Sequence, residues 1–341
     1  MSLELSQLLP TLAAGRTLSE PDAEAAFDAL LSGALDDAQI AAMLAMIQLR
    51  APTVDELVGA ARVMRRNVAR VPARDGPPII DTCGTGGAPK AFNISTAAAI
   101  LAAAAAPSNL RVAKHGNRSR SGRGSAEVLQ ALGVNVNATP EVQARCLDEV
   151  GVCFCFAIHH HPAMKHAAAP RKSLGFPTIF NLLGPLTNPA GAARQLIGVY
   201  RPELVALLAA ALARLGTHAA MVVHGSDGLD EITTRGHTLV AAVHNASVLT
   251  YELSPAALGL AAPPSTDLTA SSVEHSAQIV RDVLSGAPGP HADVVLINAA
   301  AALVVAGASP SFEHAITTAR AAIASGAASR TLADLVRVSN A

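Results

Sequence analysis

The stretch Ile79-Ile80-Asp81-Thr82-Cys83-Gly84-Thr85-Gly86-Gly87, followed by Phe92-Asn93-Ile94-Ser95-Thr96 and an alanine-rich run to Ala106, decides how this chain is read. A short apolar strand that breaks into glycines and restarts as a helix is the opening half of a βαβ unit. Glycine lets the backbone approach a ligand closely. The helix N-terminus adds unpaired N–H groups and the positive end of a dipole, so the stretch suits an anion and above all a phosphate. It lacks both the Gly-Lys-Ser/Thr ending of a Walker loop and the Gly-x-Gly-x-x-Gly spacing of a dinucleotide site. A plain tight turn with Ser95 and Thr96 as helix caps is the competing reading.

Downstream the alternation continues. Apolar runs at 110–113, 152–156, 195–199, 219–223 and 239–243 read as strands, and 95–106, 125–132, 203–215 and 271–284 read as helices. The run 294–306 is long and alanine-rich, which favours helix over strand. An α/β domain with a mainly parallel central sheet is expected. Upstream, helical spacing is broken at Ser19-Glu20-Pro21, at Asp36-Asp37 and at Thr53-Val54-Asp55-Glu56, the last a capping box. Four short helices packed as a small N-terminal bundle over 1–72 follow, with the Pro- and Gly-rich 72–78 opening the larger domain at 73–341.

Composition narrows the function classes. The 341 residues carry 25 Lys plus Arg against 26 Asp plus Glu, so no broad basic field exists for nucleic acid. The apolar run 96–107 is about half of the roughly 20 residues that a membrane span needs, and the first ten residues lack the basic head of a signal peptide. Four cysteines in such a chain suit a reducing cytoplasm. With seven Phe, two Tyr and no Trp, the core is aliphatic.

A second loop, Lys114-His115-Gly116-Asn117-Arg118-Ser119-Arg120-Ser121-Gly122-Arg123-Gly124-Ser125, gathers three Arg, three Ser and three Gly in twelve residues after a short strand. Flexible backbone, hydroxyl donors and fixed positive charge suit a phosphate or diphosphate. Two such loops at successive strand ends match the way open α/β sheets hold ligands. A third turn, His224-Gly225-Ser226-Asp227-Gly228-Leu229-Asp230-Glu231, sets two adjacent carboxylates after a strand, a donor set suited to Mg²⁺ beside a phosphate. Lys165 and Arg171 read as surface charges from periodicity alone. Cys153, Cys155 and His159-His160-His161 fall within nine residues, but without the paired Cys-x-x-Cys spacing of structural zinc.

Taken together, Gly-Thr-Gly-Gly, Phe-Asn-Ile-Ser-Thr, Lys-His-Gly-Asn-Arg, Thr-Ile-Phe-Asn-x-Leu-Gly-Pro-Leu and Asp-Gly-Leu-Asp-Glu, in this order over nearly the whole chain, resemble the anthranilate phosphoribosyltransferases of tryptophan biosynthesis. That resemblance implies transfer of phosphoribose from phosphoribosyl diphosphate (PRPP) to the amine of anthranilate, in a cytoplasmic homodimer. It implies PRPP contacts at Gly84, Gly87, Ala88, Asn93, Ser95, Thr96, Lys114, Gly116, Asn117, Arg118, Ser119, Ser121 and Ser125. Anthranilate would meet Gly84, His115, Asn117, Arg171 and Pro185. Two Mg²⁺ ions per subunit would be held by Ser95, Asp230 and Glu231. The helical part would be rejoined by about 162–190, and no residue would serve as acid or base.

The chain departs from the family pattern in two loops. Ala88-Pro89-Lys90-Ala91 stands where an Asp commonly follows Gly-Thr-Gly-Gly, and the second loop is one residue short between Arg123 and Gly124. Pro177 replaces an Arg often found before Thr-Ile-Phe-Asn. A pyrimidine nucleoside phosphorylase shares the expected architecture, but its substrates carry no diphosphate for a metal pair. A catalytically silent nucleic-acid binder is the reading from another class, opposed by the near-zero net charge.

Overall fold

The computed structural model describes residues 5–86, 91–119 and 122–341. Four helices open the chain: α1 (Leu5–Ala13), α2 (Glu20–Ser32), α3 (Asp37–Arg50) and α4 (Val54–Arg66). Each expected break is a cap. Ser19 caps α2, Asp36 and Gln39 close a box on α3, and Thr53 with Glu56 does so on α4. Glu56 goes further than its box: it is fully buried, takes the Leu18 N–H at 2.9 Å and pairs with Arg50. One carboxylate thereby ties α4 to α3 and to the entrance of α2.

After 67–78 the chain builds a seven-stranded sheet in the order β3-β2-β1-β4-β5-β6-β7. Its first half is β1 (Ile79–Asp81), α5 (Ile94–Ala105), β2 (Arg111–Gly116), α6 (Ser125–Ala131), α7 (Pro140–Glu149) and β3 (Val152–Phe156). Three helices, α8 (Ala157–His160), α9 (Lys165–Leu174) and α10 (Ile179–Leu183), then cross to β4 (Arg194–Gly198) and α11 (Glu203–Arg214). The strands β5 (Ala219–Gly225), β6 (Thr238–His244) and β7 (Ser247–Leu253) complete the sheet, and α12 (Val273–Leu284), α13 (Pro290–Ala306), α14 (Phe312–Ala324) and α15 (Ala327–Ser339) close the chain. Strands β1 to β5 pair in parallel, and β6 and β7 are antiparallel. The run 294–306 is helical, as its length demands.

Period-two alternation divides the sheet between two cores. On β4 and β5, Leu196, Met221 and Val223 join a core with α5 and α13, while Ile197, Ala220 and Val222 face the other way. That second core holds the apolar sides of α1 to α4 together with Ala167, Ile179, Phe180, Leu183 and the inner face of α11. The helical front is thus packed against segments 162–190 and one face of the sheet.

Strand β7 has no counterpart in the sequence reading. It joins β6 through Asn245-Ala246, both in the left-handed region at φ 45° and 70°. A two-residue hairpin of this kind normally announces itself with Asn-Gly. Alanine at the second position hides it.

Candidate active site

The chain leaves β1 for β2 on one side while β4 pairs on the other, so the strand order reverses at β1, the position at which open α/β sheets form a ligand crevice. Gly84 forms an isolated bridge to Gly198 at the end of β4, and the Thr85 N–H donates to the Gly198 carbonyl at 2.9 Å. A Cβ on Gly198 would overlap the Asp230 carbonyl, so only glycine lets the Asp230-Glu231 turn lie across this strand end. The turn is thereby brought to the glycine-rich loop, with Asp230 Oδ2 3.5 Å from where a Cβ on Gly84 would stand.

Helix α5 starts at Ile94 with Asn93 as its cap, so Ser95 and Thr96 lie inside its first turn and do not cap it. The Ser95 N–H donates to Glu231 Oε1 at 3.1 Å. Lys114, buried on β2, donates from Nζ to the Thr82 carbonyl at 2.9 Å and to Ser95 Oγ at 3.1 Å. Loop, helix start, second strand and acidic turn therefore meet around one ammonium group. The Thr96 hydroxyl is buried, with no hydrogen-bond partner among the described residues.

Burial and the neighbouring Asp230 push the Glu231 carboxyl up to about 8, and burial raises Asp230 as well. Burial also lowers the Lys114 ammonium, against the pull of Asp81 and Glu231. Two crowded carboxylates that repel one another, both retaining some accessible surface, have the donor chemistry for a divalent cation. With the helix N-terminus and Lys114 alongside, the crevice can hold a cation and a phosphate together.

The second loop continues from the end of β2. Asn117 and Arg118 are exposed, the Arg118 N–H donates to Asn117 Oδ1 at 2.8 Å, and Ser119 Oγ accepts from the Arg123 N–H at 2.9 Å. Gly116 lies directly against Ser125 Oγ and the Phe154 ring, so a side chain there would displace both. Gly87, Ala88 and Ser121 lie outside the described residues.

His115 sits behind the loop and is buried. Its Nδ1–H donates to the Gly184 carbonyl at 3.0 Å, which leaves Nε2 to accept from His161 Nε2–H at 3.3 Å. Burial pushes His115 down to about 3 and His161 down to about 4. Both rings are neutral at pH 7. Each pKa is depressed below its unfolded value, so below about pH 6.5 the unfolded chain binds protons that the folded one refuses, and the pair lowers stability as pH falls. Ring-carbon NMR signals of His115 and His161 should stay flat from about pH 5.5 to 8; midpoints near 6.5 would overturn the neutral arrangement. Pro185 is buried next to Gly184, and its carbonyl accepts from Gln195. Arg171 on α9 is half-buried with its guanidinium 5.2 Å from the Phe180 ring of α10, whereas Lys165 is exposed. Lys165 is thus a surface charge, whereas Arg171 is partly covered by Phe180.

Two sets of contacts escape the sequence reading because the partners are distant in the chain. Asp81, fully buried, accepts from the His115 N–H at 3.0 Å and from Asn188 Nδ2 at 2.7 Å, and so joins β1, β2 and the 184–193 crossing. Asn93 is held by Ser276 of α12, 183 residues away. The Cys/His group does not converge: His159 faces Asn137, His160 faces Ala69 and Gln143, and His161 faces His115, while Cys153 and Cys155 face each other at 3.7 Å. Cys83 donates to Asp81, and burial next to that carboxyl pushes its thiol well up, which suits a packed residue and not a nucleophile.

Comparison with known proteins bears on the whole chain. Residues 76–329 match the glycosyl transferase family a/b domain, and residues 6–68 match the helical bundle domain of the same family. The anthranilate phosphoribosyltransferase of Moorella thermoacetica is 48% identical over 335 residues, covering 97% of this chain and 97% of that protein. The crystal structure of the Thermus thermophilus anthranilate phosphoribosyltransferase superimposes with a TM-score of 0.90 at 39% identity, covering 98% of this chain and 100% of that one. The Saccharomyces cerevisiae enzyme in complex with PRPP and Mg gives a TM-score of 0.87 at 26% identity, with 98% of each chain covered. The same yeast enzyme with 4-fluoroanthranilate gives 0.85 at 25% identity, covering 98% of this chain and 97% of that one.

Proposed function

The chain belongs to the anthranilate phosphoribosyltransferase family, and we infer from that membership and from the crevice at β1 that it joins anthranilate to PRPP, releasing diphosphate. The observation that carries the reading is the meeting of the glycine-rich loop, the α5 N-terminus, Lys114 and the Asp230-Glu231 turn at one strand-order reversal. A carboxylate pair beside a phosphate cradle suits a diphosphate-bearing substrate better than phosphorolysis of a nucleoside.

Breaking the bond from the anomeric carbon to diphosphate leaves positive charge on the ribose and negative charge on the leaving group. The chain's task is to hold and neutralise the latter. In this reading Gly84, Gly87, Ala88, Asn93, Ser95, Thr96 and Lys114, with Gly116, Asn117, Arg118, Ser119, Ser121 and Ser125 of the second loop, hold PRPP. Asp230, Glu231 and Ser95 hold Mg²⁺, two ions per subunit; the bound metal would draw charge from the diphosphate oxygens. The buried Thr96 hydroxyl, unpartnered among the described residues, and the mutually repelling carboxylates support both assignments.

Anthranilate lies in this reading among Gly84, His115, Asn117, Arg171 and Pro185, with Arg171 answering its carboxylate. An aromatic amine is neutral and nucleophilic at pH 7, so no base is required before attack and proximity supplies much of the rate; the proton that the nitrogen sheds as the N–C bond forms passes to the released diphosphate or to water. The neutral, doubly engaged His115 fits a wall of the pocket and not a proton acceptor. Arg171→Ala should raise the KM for anthranilate by about 10- to 100-fold, the worth of one charged hydrogen-bonded contact, and leave PRPP affinity within about twofold. Equal losses for both substrates would refute that role. The direct assay is the decay of anthranilate fluorescence on adding PRPP, with and without Mg²⁺; no decay from folded protein would sink the reading.

The helical unit is taken as 1–72 rejoined by about 162–190, supported by the core that these segments share. A homodimer through that unit is supported by Leu5 and Leu49, apolar yet 46% and 88% exposed. Four free thiols suit a cytoplasmic setting, and among the described residues no helix is long and apolar enough to cross a membrane.

A further inference from the structure

The turn that feeds α5 is gripped from outside by the 268–276 segment. The Phe92 N–H donates to the Leu268 carbonyl at 2.9 Å, and Ala91 bridges to Thr269. Ser276, in the first turn of α12 and 1% exposed, engages Asn93 twice. Its hydroxyl donates to Asn93 Oδ1 at 2.9 Å and accepts from the Asn93 N–H at 3.1 Å.

Asn93 occupies an N-cap, where asparagine ordinarily turns its side-chain oxygen onto the N–H of the second or third helical residue. Here it makes no such bond. The second helical N–H, that of Ser95, is taken by Glu231, and the Asn93 oxygen is taken by Ser276. An amide is rigid and planar, so fixing Oδ1 also fixes the direction of Nδ2. Among the described residues Nδ2 has no partner. A side chain that forgoes its cap and is clamped by its oxygen has its two N–H donors set for something else.

We propose that Ser276 is a positioning residue for PRPP, clamping Asn93 so that its amide N–H groups face a phosphate oxygen at the mouth of α5. The inference rests on the reading of Asn93 as a PRPP contact. Ser276 touches no substrate itself and acts through Asn93 alone.

The test is calorimetric binding of PRPP with Mg²⁺ to the full-length protein and to Ser276→Ala, Asn93→Ala and the double variant, each first shown to melt as a folded protein. Freeing the amide should weaken PRPP about 5- to 10-fold in Ser276→Ala, the worth of one or two neutral hydrogen bonds, with the KM for anthranilate within about twofold. The double variant should bind no worse than Asn93→Ala, because the clamp has nothing left to hold. Unchanged PRPP binding in Ser276→Ala beside a clear loss in Asn93→Ala overturns the clamp and leaves the Asn93 contact standing. Losses that add in the double variant also overturn it, since Ser276 would then act by another route. No loss in either single variant overturns the Asn93 contact, and the clamp falls with it.

Discussion

Replacing Asp230 by Asn together with Glu231 by Gln is expected to abolish Mg²⁺-dependent turnover and, in the metal-free protein, to raise the melting temperature. Both results come from one feature. Two adjacent carboxylates are packed at the end of β5 and β4 with Lys114 as the compensating cation, and burial with mutual repulsion carries Glu231 up to about 8. Relative to its ordinary value of 4.5, the folded protein therefore holds a proton that the unfolded chain releases across about pH 4.5 to 8. Stability contributed by this group is lost as pH rises through that window. Neutral amides of the same shape remove the repulsion, so the double variant should gain most at about pH 8 to 9 and little near pH 5. Added Mg²⁺ should raise the melting point of the parent and not of the variant, because an ion stabilises only a state that binds it. Turnover within about tenfold of the parent would end the metal assignment, and a melting point that falls at high pH would show that the carboxylates stabilise the empty site.

The parts of this fold that can be read along the chain are those whose partners are near in sequence. The Thr53–Glu56 box, the strand-to-glycine break after Ile80 and the alanine-rich α5 each carry their cause within a few residues. Both phosphate-type loops were legible for that reason. Alanine weakens the pattern where it replaces larger side chains: α14 and α15 bury Ala315, Ala319, Ala322 and Ala328, and alanine is at home on either face of a helix. Hairpin β6-β7 was hidden because Ala246 adopts a conformation normally advertised by glycine.

What joins the loops into a site lay beyond local reading. Asp81 meets Asn188 across 107 residues, His115 meets His161 across 46 and Ser276 meets Asn93 across 183. In each case one partner looked generic: a crossing-segment asparagine, one of three consecutive histidines, a serine early in a helix. His161 stands in the sequence within a Cys/His cluster that lacks the spacing of a zinc site, and its partner is another imidazole. The loops and the acidic turn stand out by residue type and spacing, whereas the residues that hold them together are recognisable only by contact.

Lys114→Met is expected to lower kcat/KM by about 100- to 1,000-fold while the protein still folds. The ammonium is buried, donates to the Thr82 carbonyl and Ser95 Oγ, and lies within the electrostatic reach of Asp81, Asp230 and Glu231. Methionine keeps the length and the apolar stem but deletes the charge and both hydrogen bonds, at a cost of about 3 to 4 kcal/mol for a buried charge partner. The loss should appear as weakened PRPP binding, because the group that goes is the positive charge to which the proposed function assigns the diphosphate. Anthranilate affinity should change little, since the proposed function assigns its carboxylate to Arg171 and not to Lys114. Arginine is no rescue at this position: a planar guanidinium is bulkier than an ammonium and cannot reach both acceptors from the same buried stem. Without the ammonium the carboxylates of Asp230 and Glu231 rise further, so the pH at which PRPP and Mg²⁺ bind together should move upward. A variant that kept parental PRPP affinity would show that the helix N-terminus and the metal hold the diphosphate unaided, and would reduce Lys114 to a structural counter-charge.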